Sequence, residues 1–348
     1  MSTEAETSST LIDDALNLIA LRAYLDQRRP GFVHGELRAT LLAGGHSNLT
    51  FSVGDGGHRW VLRRPPLGEH APAAHDMFRE YRVMRALRET PIPVPEMLHY
   101  CDDRAVIGAP FFLSEYVPGI VYRDVSDTAV LGAGRARAIS RELIDVLARL
   151  HTIDPQAVGL ADLGRPAGFL DRQVRRWTEN AARVIGSYRG VPELVELLRA
   201  RMPQTAVHSI VHGDYRLDNV LVSADDRVAA VLDWEMATLG DPLTDLGLLW
   251  CYWAGLPRNE ADTMRKGISP ELGFPDIREL AAHYSAATGW DVSALPWYVA
   301  FGYFKLAALR GQIHQRYLNG QTPGEGFETV GQLIAPLIDE SLRTLEQA

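Results

Sequence analysis

Two short runs of branched apolar residues, Val220-Leu221-Val222 and Val228 to Leu232, flank the polar turn Ser223–Arg227. Apolar runs of this length around a polar turn predict a β-hairpin. On the sides away from the turn the runs are bounded by Asn219 and Asp233, each seven residues from Asp226. Positions equidistant from the turn face each other in an antiparallel pair, so these two residues are expected to converge at the open end. Asp214 stands just upstream, in His212-Gly213-Asp214, on the loop that feeds the first strand. One amide oxygen and two carboxylates form a hard-oxygen set that suits Mg²⁺. With nucleotide phosphates present, such a set holds metal on two members while the remaining carboxylate orients a hydroxyl. Any one of these residues alone reads better as a turn or cap residue. The joint spacing carries the argument.

Around this hairpin the chain falls into two parts. After a small, polar stretch at residues 1–9, expected to be disordered, Leu11, Ala15, Leu18 and Leu25 recur at helical spacing until Pro30-Gly31. Leu41–Leu42, Leu49–Val53 and Trp60–Leu62 read as strands separated by Gly44-Gly45 and Gly54–Gly57. A helix is predicted over 72–89, then a buried strand at Phe111-Phe112-Leu113, with a boundary at Pro118-Gly119. Beyond it the pattern is mostly helical, at 131–151, 169–186, 191–201, 242–254, 276–288, 296–317 and 325–346. We therefore divide the chain into a tail and helix (1–30), a β-rich part (31–117) and a helical part (118–348), an α+β architecture.

Composition excludes several classes. The net charge of −9 argues against a nucleic-acid partner, which would want a basic surface. The longest apolar stretch, near Gly247–Leu256, is too short to cross a bilayer. Two cysteines, Cys101 and Cys251, show neither a disulfide framework nor metal spacing. With no signal-peptide pattern at its start, the chain is expected to be cytoplasmic, with neither membrane nor nucleic acid as partner. Only Lys266 and Lys305 are lysines, against 33 arginines. Lysine chemistry is thus unavailable throughout residues 1–265.

His212-Gly213-Asp214 to Asn219, with Leu232-Asp233-Trp234-Glu235, resembles the aminoglycoside phosphotransferase and choline kinase group, a small-molecule branch of the protein-kinase-like fold. The likeness runs from about residue 30 to 346. Gly44-Gly45-His46-Ser47-Asn48, Val61-Leu62-Arg63-Arg64-Pro65-Pro66 and Phe169-Leu170-Asp171-Arg172-Gln173-Val174 bring it nearest to the kinase-like domains associated with acyl-CoA dehydrogenases.

The resemblance implies an ATP- and Mg²⁺-dependent transfer of the γ-phosphoryl group to a small-molecule hydroxyl. Asp214 matches the catalytic Asp, Asn219 and Asp233 the metal-holding residues, and His212 a brace of the loop. Gly44, Gly45, His46, Ser47 and Asn48 match the phosphate loop. Where the pattern has a strand lysine, this chain has Arg63, with Arg64 second. Glu80 lies on the apolar side of its helix, four residues before Met84 and seven before Leu87. A carboxylate there needs a partner, and Arg63 is the one the resemblance implies. Backbone at Glu115 and Val117 would read the adenine edge.

Asp241 and Pro242 read as a helix start, with Asp241 at the N-cap, and the resemblance implies that Asp245 braces the catalytic loop. The stripe Trp297, Tyr298, Phe301, Tyr303 and Phe304 reads as core. Arg172, Arg175 and Arg176 read either as a solvated face or as contacts for an anionic acceptor. Two alternatives remain at this stage: a nucleotide-binding module with little catalysis, suggested by the missing lysine, and an aminoglycoside-resistance kinase.

Overall fold

The computed structural model describes residues 11–42, 48–68, 76–256, 264–265, 267–321 and 327–347. The chain divides into two units, Met1–Gly119 with Ala229–Glu235, and Ile120–Val228 with Met236–Ala348. The tail at 1–9, Gly44 to Ser47 of the expected phosphate loop, the opening of the helix expected from 72, and Lys266 lie outside the described residues.

The first unit is built on a five-stranded antiparallel sheet in the order β1-β2-β3-β5-β4. Its strands are β1 (Arg38–Leu41), β2 (Leu49–Gly54), β3 (Arg59–Arg64), β4 (Met97–Cys101) and β5 (Phe111–Glu115). Helix α1 (Leu18–Arg28) precedes the sheet, and α2 (Met77–Leu87) stands between β3 and β4. The apolar spacing that predicted one helix from Thr10 to Arg28 is interrupted, because the Asn17 side chain accepts the N–H of Ala20 and starts α1 afresh. Leu21 and Leu25 of α1 join Phe51, Val53, Leu62, Phe111 and Leu113 in the core of this unit.

Strand alternation decides where β3 sends its polar side chains. Trp60, Leu62 and Arg64 are buried while Arg59, Val61 and Arg63 are more open, so the two consecutive arginines face opposite ways. Arg64, only 4% exposed, donates to the carbonyls of Ala15, Ile107 (2.8 Å) and Pro65 (3.1 Å). It is a structural tie, which removes it from the second place in the phosphate role.

The second unit is mainly helical. Its long elements are α3 (Gly132–Thr152), α4 (Phe169–Val184), α5 (Val191–Ala200), α6 (Leu243–Ala254), α7 (Ile277–Thr288), α8 (Leu295–Leu318) and α9 (Ile334–Glu346). The last helix begins later than its apolar pattern suggests, with a 3₁₀ turn at Val330–Leu333 before it. Helix α8 packs against α4, α6 and α9, and its stripe of Trp297, Tyr298, Phe301, Tyr303 and Phe304 is core. The polar tips of that stripe are satisfied inside: Tyr298 donates to Asp241, Tyr303 to the Gly255 carbonyl and Trp297 to the Leu198 carbonyl. Strands β6 (Ser209–Val211) and β9 (Thr238–Gly240) pair antiparallel. Strand β7 (Val220–Val222) leads into the turn at Ser223–Arg227, and β8 (Val228–Val231) begins in this unit at Val228 and continues in the first.

Candidate active site

In the first unit the site is built around one cation. The Arg63 Nε lies 2.9 Å from Glu80 Oε2, and Arg63 Nη2 donates to Asp233 Oδ1 at 2.7 Å. Thr50, beside Arg63 in the β2–β3 register, accepts from Nη1 at 3.4 Å. The contact with Glu80 is electrostatic, since the N–H does not point straight at that oxygen. Glu80 is 2% exposed. Burial pushes its carboxyl up to about 7 against the pull of Arg63, with Asp233 and Glu235 adding to the rise. Arg63 is itself half-buried, which works against its charge, yet Glu80, Asp233 and Glu235 hold its guanidinium firmly charged.

Asp233 has φ of 65°, a left-handed backbone that a non-glycine residue adopts only under local constraint. Asn48, the described end of the expected phosphate loop, is 1% exposed and donates to Glu235 Oε2 at 3.0 Å. At the end of β5, the Glu115 N–H is already given to the Glu96 carbonyl at 2.9 Å. Of the backbone expected to read the adenine edge, this N–H is therefore already in use.

In the second unit the loop after β6 carries Asp214. Asn219 Nδ2 donates to the Asp214 backbone carbonyl at 2.8 Å and to Asp214 Oδ2 at 3.0 Å. Arg216 Nε donates to the same Oδ2 at 3.2 Å, and its Nη1 meets Asp218 at 3.0 Å. Both donors therefore use one carboxylate oxygen. With the Asn219 amide nitrogen committed, its Oδ1 is the atom left to accept a cation. Arg216 lies 4.7 Å from the Tyr252 ring centroid. Burial works against its charge, but Asp214, Tyr252 and Asp218 raise its pKa above the ordinary arginine value.

The loop is held from beneath. Asp245, fully buried at the start of α6, accepts from the backbone N–H of His212 and of Gly213, both at 2.7 Å. It also meets His151 Nε2 at 3.2 Å, and His151 Nδ1 meets the Tyr284 hydroxyl at 2.7 Å. Burial would raise the Asp245 carboxyl, but His151, His212 and the Gly213 N–H hold it below the usual value. His212 Nδ1 takes the Asp214 N–H at 3.3 Å. At the head of α6 the Asp241 carboxylate accepts from Leu243 N–H at 3.0 Å. Lys305 on α8 donates to the Gly213 carbonyl at 3.1 Å.

Arg63, Glu80 and Asp233 are thus gathered in the first unit, and Asp214 and Asn219 in the second. The Arg172–Arg176 turn is not a uniform cationic face. Arg172 donates to the carbonyls of Arg165 and Ala167 on the loop entering α4, while Arg175 and Arg176 are exposed. Spacing did not point to Lys305 or Tyr252 as neighbours of Asp214. The signal available for Lys305 was a single cation among buried Tyr303, Phe304, Leu306 and Ala307.

An antiparallel-sheet unit and a helical unit, with an Asp–Asn loop and a strand cation paired to a helix carboxylate, define a kinase-like phosphotransferase fold. The profile of the phosphotransferase enzyme family matches residues 38–283, and the chain belongs to that family. It is 34% identical over 356 residues to acyl-CoA dehydrogenase family member 11 of Rattus norvegicus, covering 99% of this chain and 45% of that protein. It is 34% identical over 302 residues to acyl-CoA dehydrogenase family member 10 of Mus musculus, covering 85% of this chain and 28% of that one. The chain spans less than half the length of these relatives.

A crystal structure from Ralstonia eutropha, provisionally named an aminoglycoside phosphotransferase, superposes with a TM-score of 0.80 at 33% identity, over 94% of this chain and 98% of that one. The aminoglycoside phosphotransferase APH(4)-Ia, in a complex with AMP-PNP and hygromycin B, shares the fold at a TM-score of 0.62 and 17% identity, over 93% and 98% of the two chains. No described helix is long and apolar enough to cross a membrane.

Proposed function

We propose that the protein moves the γ-phosphoryl group of ATP to a hydroxyl of a small molecule, with Mg²⁺. The observation that carries this reading is the Asp214 carboxylate. Its Oδ2 is fixed by Asn219 and Arg216, and among the described residues no side-chain hydrogen bond is made by its Oδ1. Such a carboxylate is aimed but not saturated, as a group that accepts a hydroxyl proton must be. Asp214 takes that proton as the acceptor oxygen forms its bond to phosphorus and the bond to the ADP oxygen breaks.

Asn219 Oδ1 and Asp233 Oδ2 are the atoms not committed to the protein hydrogen bonds described above, and each is a hard oxygen of the kind that Mg²⁺ takes. When bound, the ion neutralises charge on the phosphates. Arg63 supplies a fixed cation where the pattern has lysine. Gly44, Gly45, His46, Ser47 and Asn48 cover the phosphates, and the Glu115 carbonyl with the Val117 backbone reads adenine.

For the acceptor we infer a hydroxylated metabolite linked to acyl-CoA chemistry, a reading supported by the names of the relatives. The test is ADP release from Mg·ATP across two panels, hydroxyacyl-CoA thioesters and aminoglycosides, with wild type and Asp214→Asn. Wild-type turnover with the thioesters that Asp214→Asn abolishes is the expected result. Turnover unaffected by the substitution overturns the mechanism, and activity confined to aminoglycosides overturns the acceptor.

A further inference from the structure

Lys305 is the one lysine among the described residues. Its neighbours on α8 are buried, and a cation in such surroundings is costly without partners. No carboxylate among the described residues comes within ion-pair distance of it. Its hydrogen bond goes instead to the Gly213 carbonyl, across 92 positions of sequence, while its Nζ lies 5.6 Å from the Trp177 ring centroid.

The bonded carbonyl is part of the peptide that leads into Asp214. Gly213 has φ of 88°, its N–H is held by Asp245 at 2.7 Å, and the Asp214 N–H is held by His212 at 3.3 Å. Asp245 thus holds the N–H of the His212–Gly213 peptide, while His212 and Lys305 hold the N–H and the carbonyl of the Gly213–Asp214 peptide.

We propose that Lys305 is a positioning residue: its ammonium holds the Gly213 carbonyl and thereby aims the Asp214 carboxylate at the acceptor. The catalytic consequence rests on the phosphotransfer reading above, but the loop-holding does not. The titratable and charged groups facing Lys305 are Asp214 from the loop, Asp245 and the buried, neutral thiol of Cys251 from α6, and Arg176 from α4. Burial draws its pKa below the ordinary lysine value, Asp214, Asp245 and Cys251 draw it back up, and Arg176 adds to the fall. Turnover should therefore fall on the alkaline side as the ammonium loses its proton.

The test compares wild type with Lys305→Met and Lys305→Arg in three measurements: hydrogen exchange of peptides spanning 212–219, nucleotide affinity, and the pH profile of kcat for Mg·ATP turnover. In Lys305→Met we expect exchange in that loop to quicken at least tenfold, kcat to fall at least tenfold, nucleotide affinity to stay within twofold, and the alkaline limb to vanish. Lys305→Arg, which keeps the charge, should hold the loop and carry the limb to higher pH. Wild-type loop exchange and an unmoved limb in Lys305→Met overturn the proposal. If the wild type turns over no ATP, the phosphotransfer reading fails, and loop exchange alone decides whether Lys305 holds the loop.

Discussion

Arg63 and Arg64 are consecutive, yet one joins Glu80 and Asp233 while the other ties three backbone carbonyls together on the opposite face of β3. Their substitutions should separate cleanly. Arg63→Ala leaves Glu80 buried without its cation, a change that costs about 3–5 kcal/mol when a buried pair is broken. It should also weaken nucleotide binding by about 10–100-fold, the worth of a charge-assisted contact. Arg64→Ala should cost about 1–3 kcal/mol through orphaned carbonyls and leave nucleotide affinity within twofold. Melting temperature and nucleotide titration, run on both variants, check the contrast.

Asp214→Asn keeps the size and one acceptor oxygen but removes the base. Turnover should drop by about 10²–10⁴-fold, the range of a positioned acid–base group, with nucleotide affinity nearly unchanged. Steady-state ADP release and nucleotide titration measure the two separately. Equal losses in both would show that the residue binds rather than reacts.

Gly213 is the loop position least able to accept a side chain. A Cβ there would stand 2.8 Å from both the Cβ and the backbone carbonyl oxygen of Met236, and the φ of 88° is already unfavourable for other residues. Gly213→Ala should cost ~1–3 kcal/mol, as strained backbone does, and reduce turnover more than nucleotide affinity. Because one obstacle is backbone, removing the Met236 Cβ should not restore activity. Recovery in a Gly213→Ala, Met236→Gly double variant would show that side-chain crowding is the cause.

Asp55 provides a pH test remote from the chemistry. Its carboxylate accepts the backbone N–H groups of His34, Gly57 and His58 at 2.8, 3.0 and 2.7 Å. The His34 N–H contributes most to holding its pKa well below the usual carboxylate value. A group depressed in the folded state stabilises above its unfolded pKa of about 3.9 and loses that contribution as pH falls towards the folded value. The melting temperature of the wild type should therefore fall below about pH 4. In Asp55→Asn it should start lower and fall less over the same interval. Parallel curves would exclude Asp55 as the titrating group.

Much of this was legible in the sequence because it is local. Asp214 and Asn219 are five residues apart, and a single loop brings them together. Glu80 announced its need for a cation by standing on the apolar side of α2, and Arg63 is there. What stayed hidden depends on chain reversals over long separations. Lys305 reaches Gly213 from a helix whose apolar pattern says only that it is buried. Arg64 stood second for the phosphate role until alternation along β3, which lies between β2 and β5, turned it to the buried face. Arg172 looked like one of three free cations, but it turns back to carbonyls seven and five residues earlier, a reach that helical spacing does not reveal.

The return of Ala229–Glu235 to the first unit has a consequence for synthesis. When a ribosome has made residues 1–119, the sheet strands are all present, but Asp233 does not yet exist to meet Arg63, nor Val231 to give its N–H to the Pro93 carbonyl. At ~5–20 residues per second the missing piece emerges on the order of ten seconds later. Through that interval Glu80 is the charged partner that Arg63 already has among the described residues. Completion of the nascent first unit therefore waits on the hairpin, and a fragment released at Gly119 would remain permanently short of Asp233.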